Sequence, residues 1–506
     1  MKFKKTFCLF LSVMMLISVF SAVAVSANAE SGMPDAAFGG GQPPEKPDGE
    51  MPGEPPEGMG GPGGGMGTPP DGAPGGDMGT PPDGAPGGAG GPGGMPGGGP
   101  GSGSDIDYSG AVEITSADSQ ESLTYETSAV DQSALLISTA EDVTVTNPTV
   151  VKSGSSDGGD SCNFYGLNAA VLVKDGSTAT ITGGTITSDA DGANGVFSYG
   201  GNGGRNGAEG DGTTVIIRDT VINTTGSGSG GIMTTGGGTT YAYDLTVTTS
   251  GGSSAPIRTD RGGGTVHVDG GSYTSNGLGS PAIYSTADIT VENAVLTSNL
   301  SEGVCIEGKN SITLLNCDLS ASNTKCNGNA TFLDTIMIYQ SMSGDADSGT
   351  SSFTMTGGSL TSKNGHVFHV TNTNAVINLS GVEIRNEDAS DVLLSVCDDG
   401  WNGAGNVATL NADGQALSGT ILVGSNSSLT LNLMNGSTLT GTVSGEIVNA
   451  KGATVSTEAG TVDVTLDSTS TWSLTGDTYV SSFSGDTANI SFNGYTLYVD
   501  GAAVNP

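Results

Sequence analysis

The octapeptide ITGGTITS at residues 181–188 constrains the fold more than any other stretch of this sequence. Near-copies, each with an apolar residue, a small or amide corner and a second apolar residue, recur as VDGGSYTS at 268–275, VENAVLTS at 291–298, LLNCDLSA at 314–321, MTGGSLTS at 355–362 and LSGVEIRN at 379–386. One such unit has too little apolar surface to form a core, but stacked units bury a continuous one. The recurrence therefore predicts a solenoid.

The apolar residue that opens each copy sets the register of the repeat. It gives the series Val145, Ile181, Ile217, Tyr243, Val268, Val291, Leu314, Met355, Leu379, Leu410, Leu431 and Leu466. The tightest intervals are 25, 23, 23 and 24 residues, and longer ones contain insertions at 198–212 and 322–350. Intervals in this range are typical of repeat architectures.

The corner of each copy lies two residues after the opening position. It is always Asn, Asp or Gly: Asn147, Gly183, Asp219, Gly270, Asn293, Asn316, Gly357 and Gly381. These residues tolerate the left-handed backbone region that a tight corner requires. We therefore predict a strand, a sharp corner and a second strand in each copy.

A third apolar segment precedes each corner, as in ALLISTAEDVTV at 134–145 and PAIYSTADITV at 281–291. The segments are rich in Val, Ile, Thr and Leu and lack helical periodicity. The predicted fold is all-β, a parallel β-helix solenoid with three strands per rung. Roughly twelve rungs would give a rod near 60 Å long at the usual strand spacing, with apolar residues inside and Thr, Ser and Asn outside.

The two ends of the body differ from the repeat and are predicted to cap it. The body begins with SLTYETSAV, and STWSLTGDTYVSSF with ISFNGYTLYVDG closes it. We expect the closing aromatic residues Trp472, Tyr479, Phe492 and Tyr495 to pack in the cap; a sugar-stacking role is the alternative.

The N-terminal region has the pattern of a secretory signal peptide. Residues 1–29 combine three early lysines, an apolar run and the cleavage pattern ANA at 27–29. An uncleaved membrane anchor is the alternative, because the apolar run approaches spanning length. The rest of the chain has no second such run, so no membrane span is expected in the mature chain.

Residues 30–104 are dominated by Gly, Pro, Met and acidic residues, with MGTPPDGAPGG at 66–76 and again at 78–88. Such a segment cannot bury enough apolar surface to offset its ordering entropy. It is predicted to be a disordered linker, which leaves 105–506 as the β-helix with its C-terminal cap.

The charge balance excludes some partners. Removal of the signal segment changes 15 basic and 52 acidic residues to 12 and 52, so the net charge moves from −37 to −40. Nucleic acid would be repelled, and polyanionic glycans are disfavoured for the same reason. Solubility is favoured and, weakly, divalent cations.

Five cysteines lie outside the signal segment: Cys162, Cys305, Cys317, Cys326 and Cys397. Their number is odd and their spacing matches no metal pattern. Burial as small hydrophobic residues is the expected role. A Cys317–Cys326 bridge across a loop is the alternative in an oxidising compartment.

With the rung length, three strands and Asn/Gly corners established, the body resembles the right-handed parallel β-helix of the pectin-lyase-like superfamily. The segment STWSLTGDTYVSSF looks like the closing segment of autotransporter-type passengers and adhesins, although no translocator barrel follows. The resemblance implies the fold, but the same fold carries lyases, hydrolases, adhesins and structural shafts.

The resemblance also implies what an enzyme would need. Lyases of this kind hold calcium with several acids and use an Arg base, and hydrolases carry NTD, DD, GHG and RIK in that order. This chain offers RTD at 258–260, NGH at 364–366, IRN at 384–386 and DD at 398–399. The fragments are partial and their order differs.

Individual candidate residues also favour a structural role. Adjacent Asp398 and Asp399 would point to opposite sides of a strand. His366 and His369, three apart, would not share a face, so with His267 we interpret them as scattered solvent-facing positions. The cluster Arg258, Asp260 and Arg261 is expected to form local salt bridges.

The loop CDDGWNGAGN at 397–406 could bind calcium through oxygen atoms, but it lacks EF-hand spacing, which favours a solvated loop. We assign no catalytic, cofactor-binding or metal-binding residue, and calcium is the single cofactor left open.

These observations predict a secreted or surface-displayed bacterial β-helix protein that mediates adhesion or glycan binding without catalysis. Its expected partner is a host-surface or cell-wall glycan or protein. The alternatives are a polysaccharide lyase or glycoside hydrolase of the same fold and a purely structural shaft. A cluster of acids and Arg on one sheet face would favour the enzyme, and a long bare face would favour adhesion.

Overall fold

The computed structural model describes residues 106–203, 209–326, 328–401 and 405–504. Strands contain 53% of the described residues and helices contain 2%, and the strands stack in long parallel sheets. The predicted parallel β-helix with three strands per rung is therefore confirmed. Val, Ile and Thr at alternating positions favour extended backbone and present one apolar face to the interior.

Sheets A and B run the length of the solenoid, whereas sheet C ends near residue 386 and a separate sheet D supplies the third strand of the later rungs. Sheet A contains β1 (Ser109–Ile114), β4 (Gln132–Ser138), β7 (Val171–Lys174), β10 (Val196–Tyr199), β13 (Ile232–Thr235), β16 (Ile257–Thr259), β19 (Ile283–Ser285), β22 (Val304–Glu307), β25 (Asp334–Tyr339), β28 (His366–Thr371), β31 (Val392–Val396), β34 (Thr420–Val423) and β37 (Val443–Ser444).

Sheet B contains β2 (Asp118–Glu121), β5 (Asp142–Thr146), β8 (Thr178–Thr182), β11 (Thr214–Arg218), β14 (Gly238–Tyr243), β17 (Gly264–Asp269), β20 (Asp288–Glu292), β23 (Ser311–Leu315), β26 (Thr350–Thr356), β29 (Asn374–Ser380), β32 (Asn406–Asp413), β35 (Ser427–Met434), β40 (Thr461–Leu466) and β43 (Ser482–Ser484). Sheet C contains β3 (Thr124–Thr127), β6 (Thr149–Lys152), β9 (Thr185–Ser188), β12 (Val221–Thr224), β15 (Thr246–Thr249), β18 (Ser272–Ser275), β21 (Val295–Ser298), β24 (Asp318–Ala321), β27 (Ser359–Ser362) and β30 (Glu383–Asn386).

Shorter elements complete the last rungs and the cap. They are sheet D, with β33 (Ala416–Ser418), β36 (Thr438–Thr440), β41 (Thr471–Ser473) and β44 (Ile490–Ser491); the antiparallel hairpin β38 (Glu446–Val448) and β39 (Thr454–Thr457); the closing sheet of β42 (Thr478–Val480), β45 (Leu497–Val499) and β46 (Ala502–Val504); helix α1 (Asp160–Tyr165); and a 3₁₀ turn (Thr487–Asn489).

The predicted corners are confirmed. All eight corner residues have positive φ, from 47° at Asn147 to 75° at Gly270. The predicted register was wrong in the rung of β14, because Ile217 pairs with Ala242 rather than Tyr243. It was also wrong for Leu410 and Leu431, since their rungs align Leu379 with Ala412 and Ala412 with Leu433. Each true opening position is again followed two residues later by a corner of positive φ: Asp244, Gly414 and Asn435.

The outward faces of the three sheets differ. In sheets B and C buried residues alternate with exposed or half-buried ones, as predicted. From β4 to β34 sheet A is buried on both faces, as in β10, β22 and β25, so the expectation that every sheet shows a polar outer face was wrong.

Segments between the strands cover the outer face of sheet A. Phe164 and Tyr165 of α1 pack on Leu172 and Phe197. Farther along, Trp401 packs on Tyr339, with 5.0 Å between ring centroids. Beyond it the hairpin β38–β39 contributes Ile447 to a cluster that also contains Phe332, Val392, Cys397 and Leu422. The cover therefore comes from residues far apart in the sequence.

One further expectation was wrong, and one alternative is excluded. The segment 322–350 is not one insertion, because it contains β25, a full strand of sheet A. All five cysteines among the described residues are free, so the Cys317–Cys326 bridge is absent: Cys317 lies in the main core, whereas Cys326 packs against a separate cluster outside it.

The cap is only partly as predicted. Trp472 and Phe492 are buried, but Tyr479 and Tyr495 are 47% and 42% exposed. The predicted signal peptide and linker, 1–104, lie outside the described residues. In the part of the chain that the structure describes, no helix is long and apolar enough to span a membrane.

Candidate functional site

The outer face of sheet B is open and carries residues in strict register from rung to rung. Its central file, here called the outer file, is Thr144, Thr180, Ile216, Tyr241, His267, Thr290, Thr313, Thr354, Asn378, Asn411, Asn432, Thr465 and Ser484. Neighbouring strands lie about 4.8 Å apart. Apart from Ile216, the outer file is therefore a straight line of hydroxyl, aromatic and amide groups along the solenoid.

An aromatic platform lies in the first half of the outer file. The rings of Tyr241 and His267 stack with 5.3 Å between centroids and 7° between planes. In the neighbouring file the guanidinium of Arg218 lies 3.7 Å from the ring centroid of Tyr243. The rings border a depression of about 250 Å³. Flat rings at a solvent-open surface offer apolar contact to the faces of other rings.

Carboxylates border the aromatic platform on one side. Asp269 and Glu292 follow Tyr243 in register and line the same depression. Asn293 donates to Asp269 Oδ1 over 2.8 Å, which orients that carboxylate. Carboxylates accept hydrogen bonds from sugar hydroxyls and repel anions. This part of the face is suited to a neutral or cationic ligand.

An amide ladder lies in the second half of the outer file. Asn432 donates to Asn411 Oδ1 over 2.9 Å, Asn411 donates to Asn378 Oδ1 over 2.9 Å, and Asn378 donates to Thr354 Oγ1 over 3.1 Å. The amides border a depression of about 380 Å³. Each amide is thus held in one orientation by its neighbours.

The predicted salt bridges around Arg258 are present, one of them buried and the other half-buried. Arg258 Nη2 lies 2.7 Å from Asp260 Oδ2, and Arg261 Nη2 lies 2.5 Å from Asp345 Oδ1. Arg258 also donates to Asn163 of α1. Burial raises the pKa of Asp260 to about 7, although Arg258 opposes the rise. These pairs join α1 and the segment around Asp345 to sheet A.

Three more buried carboxyl groups, those of Glu302, Glu307 and Asp334, lie on the same side of the solenoid. Glu307 accepts from Tyr284 over 2.6 Å and from Tyr339 over 3.2 Å. Burial raises the pKa of Glu307. Burial also raises the pKa of Asp334 well above its usual range, and nearby Glu302 adds to the rise. Acids and Arg therefore do converge on sheet A, but beneath its cover.

The histidines at 366 and 369 correct a sequence prediction. Both bond to one atom, since His366 Nδ1 and His369 Nδ1 each lie 2.7 Å from Ser395 Oγ. They share a face because Val367 and Phe368 both enter the core, which breaks the strand alternation. His366 is 9% exposed, while His369 and Ser395 are fully buried, so the solvent-facing prediction was wrong for both. His267 is exposed, as predicted.

Asp399 completes this buried network. His369 Nε2 lies 3.3 Å from Asp399 Oδ2, and Thr331 and Gly400 donate to Oδ1. Burial alone would raise the pKa of Asp399, but these bonds, led by the one to His369, hold it below its usual value. An ionised carboxylate only accepts, so His369 Nε2 donates to Asp399, and Nδ1 of the same ring bonds to Ser395. Ser395, His369 and Asp399 thus form a chain that no solvent reaches.

The loop at 397–406 is more buried than predicted, since Cys397 and Trp401 are in contact with the clusters over sheet A. Asp398 accepts from Asn406 over 2.7 Å and Asp399 from His369, so the two carboxylates point to different partners. Residues 402–404 lie outside the described residues. Among the described residues no group of three His, Cys, Asp or Glu side chains is arranged to hold a metal.

Comparisons of the chain with protein-family models, with curated proteins and with solved structures found no match. The geometry of the described residues therefore carries the functional argument. Sequence reasoning missed the aromatic platform and the amide ladder. Tyr241 and His267 are 26 residues apart, and alignment of the rungs at Ala242 instead of Tyr243 would have placed them side by side.

Proposed function

We propose that the protein is a secreted or surface-displayed, non-catalytic protein that binds glycan along the outer face of sheet B. The observation that carries this proposal is the parallel stack of Tyr241 and His267 in an open file of hydroxyl and amide groups. Aromatic rings contact the apolar faces of sugar rings, and convergent polar groups orient the hydroxyls.

The shape of the face suits an extended polymer. The outer file continues through thirteen rungs in register, with its rings at one part and its amides at another. A linear glycan that follows this file would make small contacts at many rungs, and repeated weak contacts add to a useful affinity. The carboxylates of Asp269 and Glu292 favour neutral glycans over polyuronates.

Binding to immobilised neutral polysaccharides tests the proposal. The double variant Tyr241→Ala/His267→Ala should lose about tenfold in affinity, because each lost ring contact removes about 0.5–1.5 kcal/mol. Val295→Ala is the control, since Val295 is an exposed apolar side chain on sheet C, outside the outer file. Unchanged binding by the double variant would place the glycan elsewhere; no binding by the parent to any polysaccharide would favour the structural shaft.

The carboxyl groups over sheet A favour a second candidate, a polysaccharide-cleaving enzyme. Asp260, Glu307 and Asp334 would be its acids and Arg258 its base or anchor. All four side chains are buried beneath the cover, so substrate would need the cover to open. Incubation with neutral and acidic polysaccharides, followed by measurement of new reducing ends or unsaturated products, decides between the two. Product formation that Asp260→Asn abolishes would establish the enzyme.

A further inference from the structure

The amide ladder retains hydrogen-bonding capacity that its own contacts do not use. A side-chain amide has two N–H donors and two acceptor lone pairs. Asn411 uses one donor toward Asn378 and one lone pair toward Asn432. Its second donor and second lone pair lie at a half-exposed position on an open face. Each such amide can therefore pair with an external group that has both a donor and an acceptor.

The ladder also fixes the direction of these groups before any ligand arrives. An isolated exposed Asn can flip its amide, but Asn411 is bonded on both sides, so a flip would break two bonds of 2.9 Å. A ligand then loses less side-chain entropy on binding. The ladder is a set of oriented amides repeated about every 4.8 Å along the solenoid.

The surroundings of the ladder add an apolar contact. The depression beside it is lined by Thr354, Thr356, Ser380, Asp413 and Met434, together with Asn378 and Asn411. Met434 is half-exposed and lies in register with Asp413, the one charged lining residue. Asp413 in turn accepts from Asn435 over 2.7 Å. A ligand group there meets oriented amides, hydroxyls and a flexible thioether side chain.

We propose that the amide ladder recognises the acetamido groups of N-acetylated glycans, an inference that rests on the proposed function. An acetamido group has one N–H, one carbonyl oxygen and one methyl group. The N–H and the carbonyl oxygen of this trans amide point in opposite directions, so they match the unused acceptor of Asn411 and the unused donor of a neighbouring ladder amide, and the methyl group matches Met434. A plain hydroxyl supplies no methyl group, and a carboxylate supplies no donor and is repelled by Asp413.

A matched pair of oligosaccharides tests the inference: the β-1,4-linked hexamer of N-acetylglucosamine and that of glucose, which differ in the acetamido group. With two extra hydrogen bonds at about 0.5–1.5 kcal/mol each, the full chain should bind the N-acetylated hexamer about tenfold more tightly. Titration calorimetry measures both affinities.

Two variants assign the selectivity to the ladder. Asn411→Leu keeps the branched shape of the side chain but removes the amide, so the two hexamers should bind within about twofold of each other, with the larger loss of affinity for the N-acetylated hexamer. Met434→Ala leaves the ladder intact and should reduce the preference about threefold, which keeps the test valid if Asn411→Leu misfolds. Asn223→Leu, on the exposed face of sheet C, is the control and should behave as the parent.

The outcomes separate the two proposals. Equal affinity of the parent for the two hexamers, or a preference that survives both Asn411→Leu and Met434→Ala, overturns the inference and leaves glycan binding in place. Failure of the parent to bind either hexamer or any neutral polysaccharide overturns the proposed function and the inference together.

Discussion

Asn316 and Gly357 occupy equivalent corners of consecutive rungs, and Asn316 Oδ1 lies 2.7 Å from the point where a Cβ atom on Gly357 would stand. Both residues have positive φ, 52° and 64°. The residue at a corner is therefore restricted by its backbone conformation and by the corner residue of the preceding rung. Asn293 and Asn316 are stacked corners that are both Asn, so an Asn above an Asn is compatible with the fold.

Substitutions at Gly357 should separate these two restrictions. Gly357→Val should lower the thermal unfolding midpoint clearly, because a β-branched residue in the left-handed region costs at least about 1–2 kcal/mol. Gly357→Asn should cost much less, since Asn tolerates this region and the Asn316 side chain can rotate away. Gly381→Asn is the control, because nothing lies within 4 Å of its added Cβ. Equal midpoints for the Val and Asn variants at position 357 would contradict the corner assignment.

These corners show why the sequence predicted the fold well. A rung needs a left-handed residue at the same place each time, and few residue types meet that requirement, so the pattern is visible in one sequence. The opening position is less restricted, because it needs only an apolar residue. The prediction therefore placed Tyr243 instead of Ala242 at the opening position, and the stack of Tyr241 on His267 was not recognised.

The buried outer face of sheet A could not be predicted in the same way. Its cover brings together residues far apart in sequence, such as Trp401 on Tyr339 and Ile447 on Phe332. Such contacts leave no periodic signal. The histidine pair was missed for a local reason, since the irregular strand at Val367 breaks the alternation on which the prediction depended.

The buried carboxyl groups should make the protein more stable in mild acid than at neutral pH. Burial raises the pKa of four of them: Asp260 to about 7, and Glu302, Glu307 and Asp334 above their usual values. Between about pH 4.5 and 7 the folded chain then holds protons that the unfolded chain has released, so stability rises as pH falls. His366 opposes this, because burial lowers its pKa to about 3 and only the unfolded chain takes up that proton. Four carboxyl groups should outweigh one imidazole.

Thermal unfolding between pH 5 and 7.5 measures this effect, with the midpoint expected to be higher at pH 5. Asp334→Asn should flatten the dependence and raise the midpoint at pH 7, because Asp334 Oδ1 is buried without a partner and the neutral amide avoids burial of charge. A midpoint that falls steadily from pH 7.5 to 5 in the parent would be inconsistent with these buried acids.

Thiol titration distinguishes five free cysteines from a chain with a Cys317–Cys326 disulfide. In a chain that begins after residue 29, denaturant should expose five thiols without reductant, whereas a Cys317–Cys326 bridge would leave three. In the folded protein only Cys326 should react, because the other four cysteines are buried. Its reaction should be slow, because burial raises the pKa of the Cys326 thiol. Cys326→Ser should abolish the reaction of the folded protein.

Ser395 should stabilise the buried network rather than act as a nucleophile. Its hydroxyl is shared by His366 Nδ1 and His369 Nδ1 at 2.7 Å each. Ser395→Ala leaves both ring nitrogens buried without this partner, which should cost about 2 kcal/mol or more. Thr313→Ala, on the half-exposed outer file, should change stability far less.

Two measurements check the role of Ser395. Denaturant unfolding gives the loss of stability, and proton NMR follows His366, whose ring should stay neutral from pH 8 to pH 5 because burial lowers its pKa to about 3. Titration of His366 near its ordinary value would show that the cover over sheet A opens to water. Covalent labelling of folded Ser395 by a serine-reactive phosphonate would require the same opening and would contradict a purely structural role of Ser395. Full protection of Ser395, with the stability loss in Ser395→Ala, is the result expected if the network serves to hold Thr331, Asp399 and the covering loops against the solenoid.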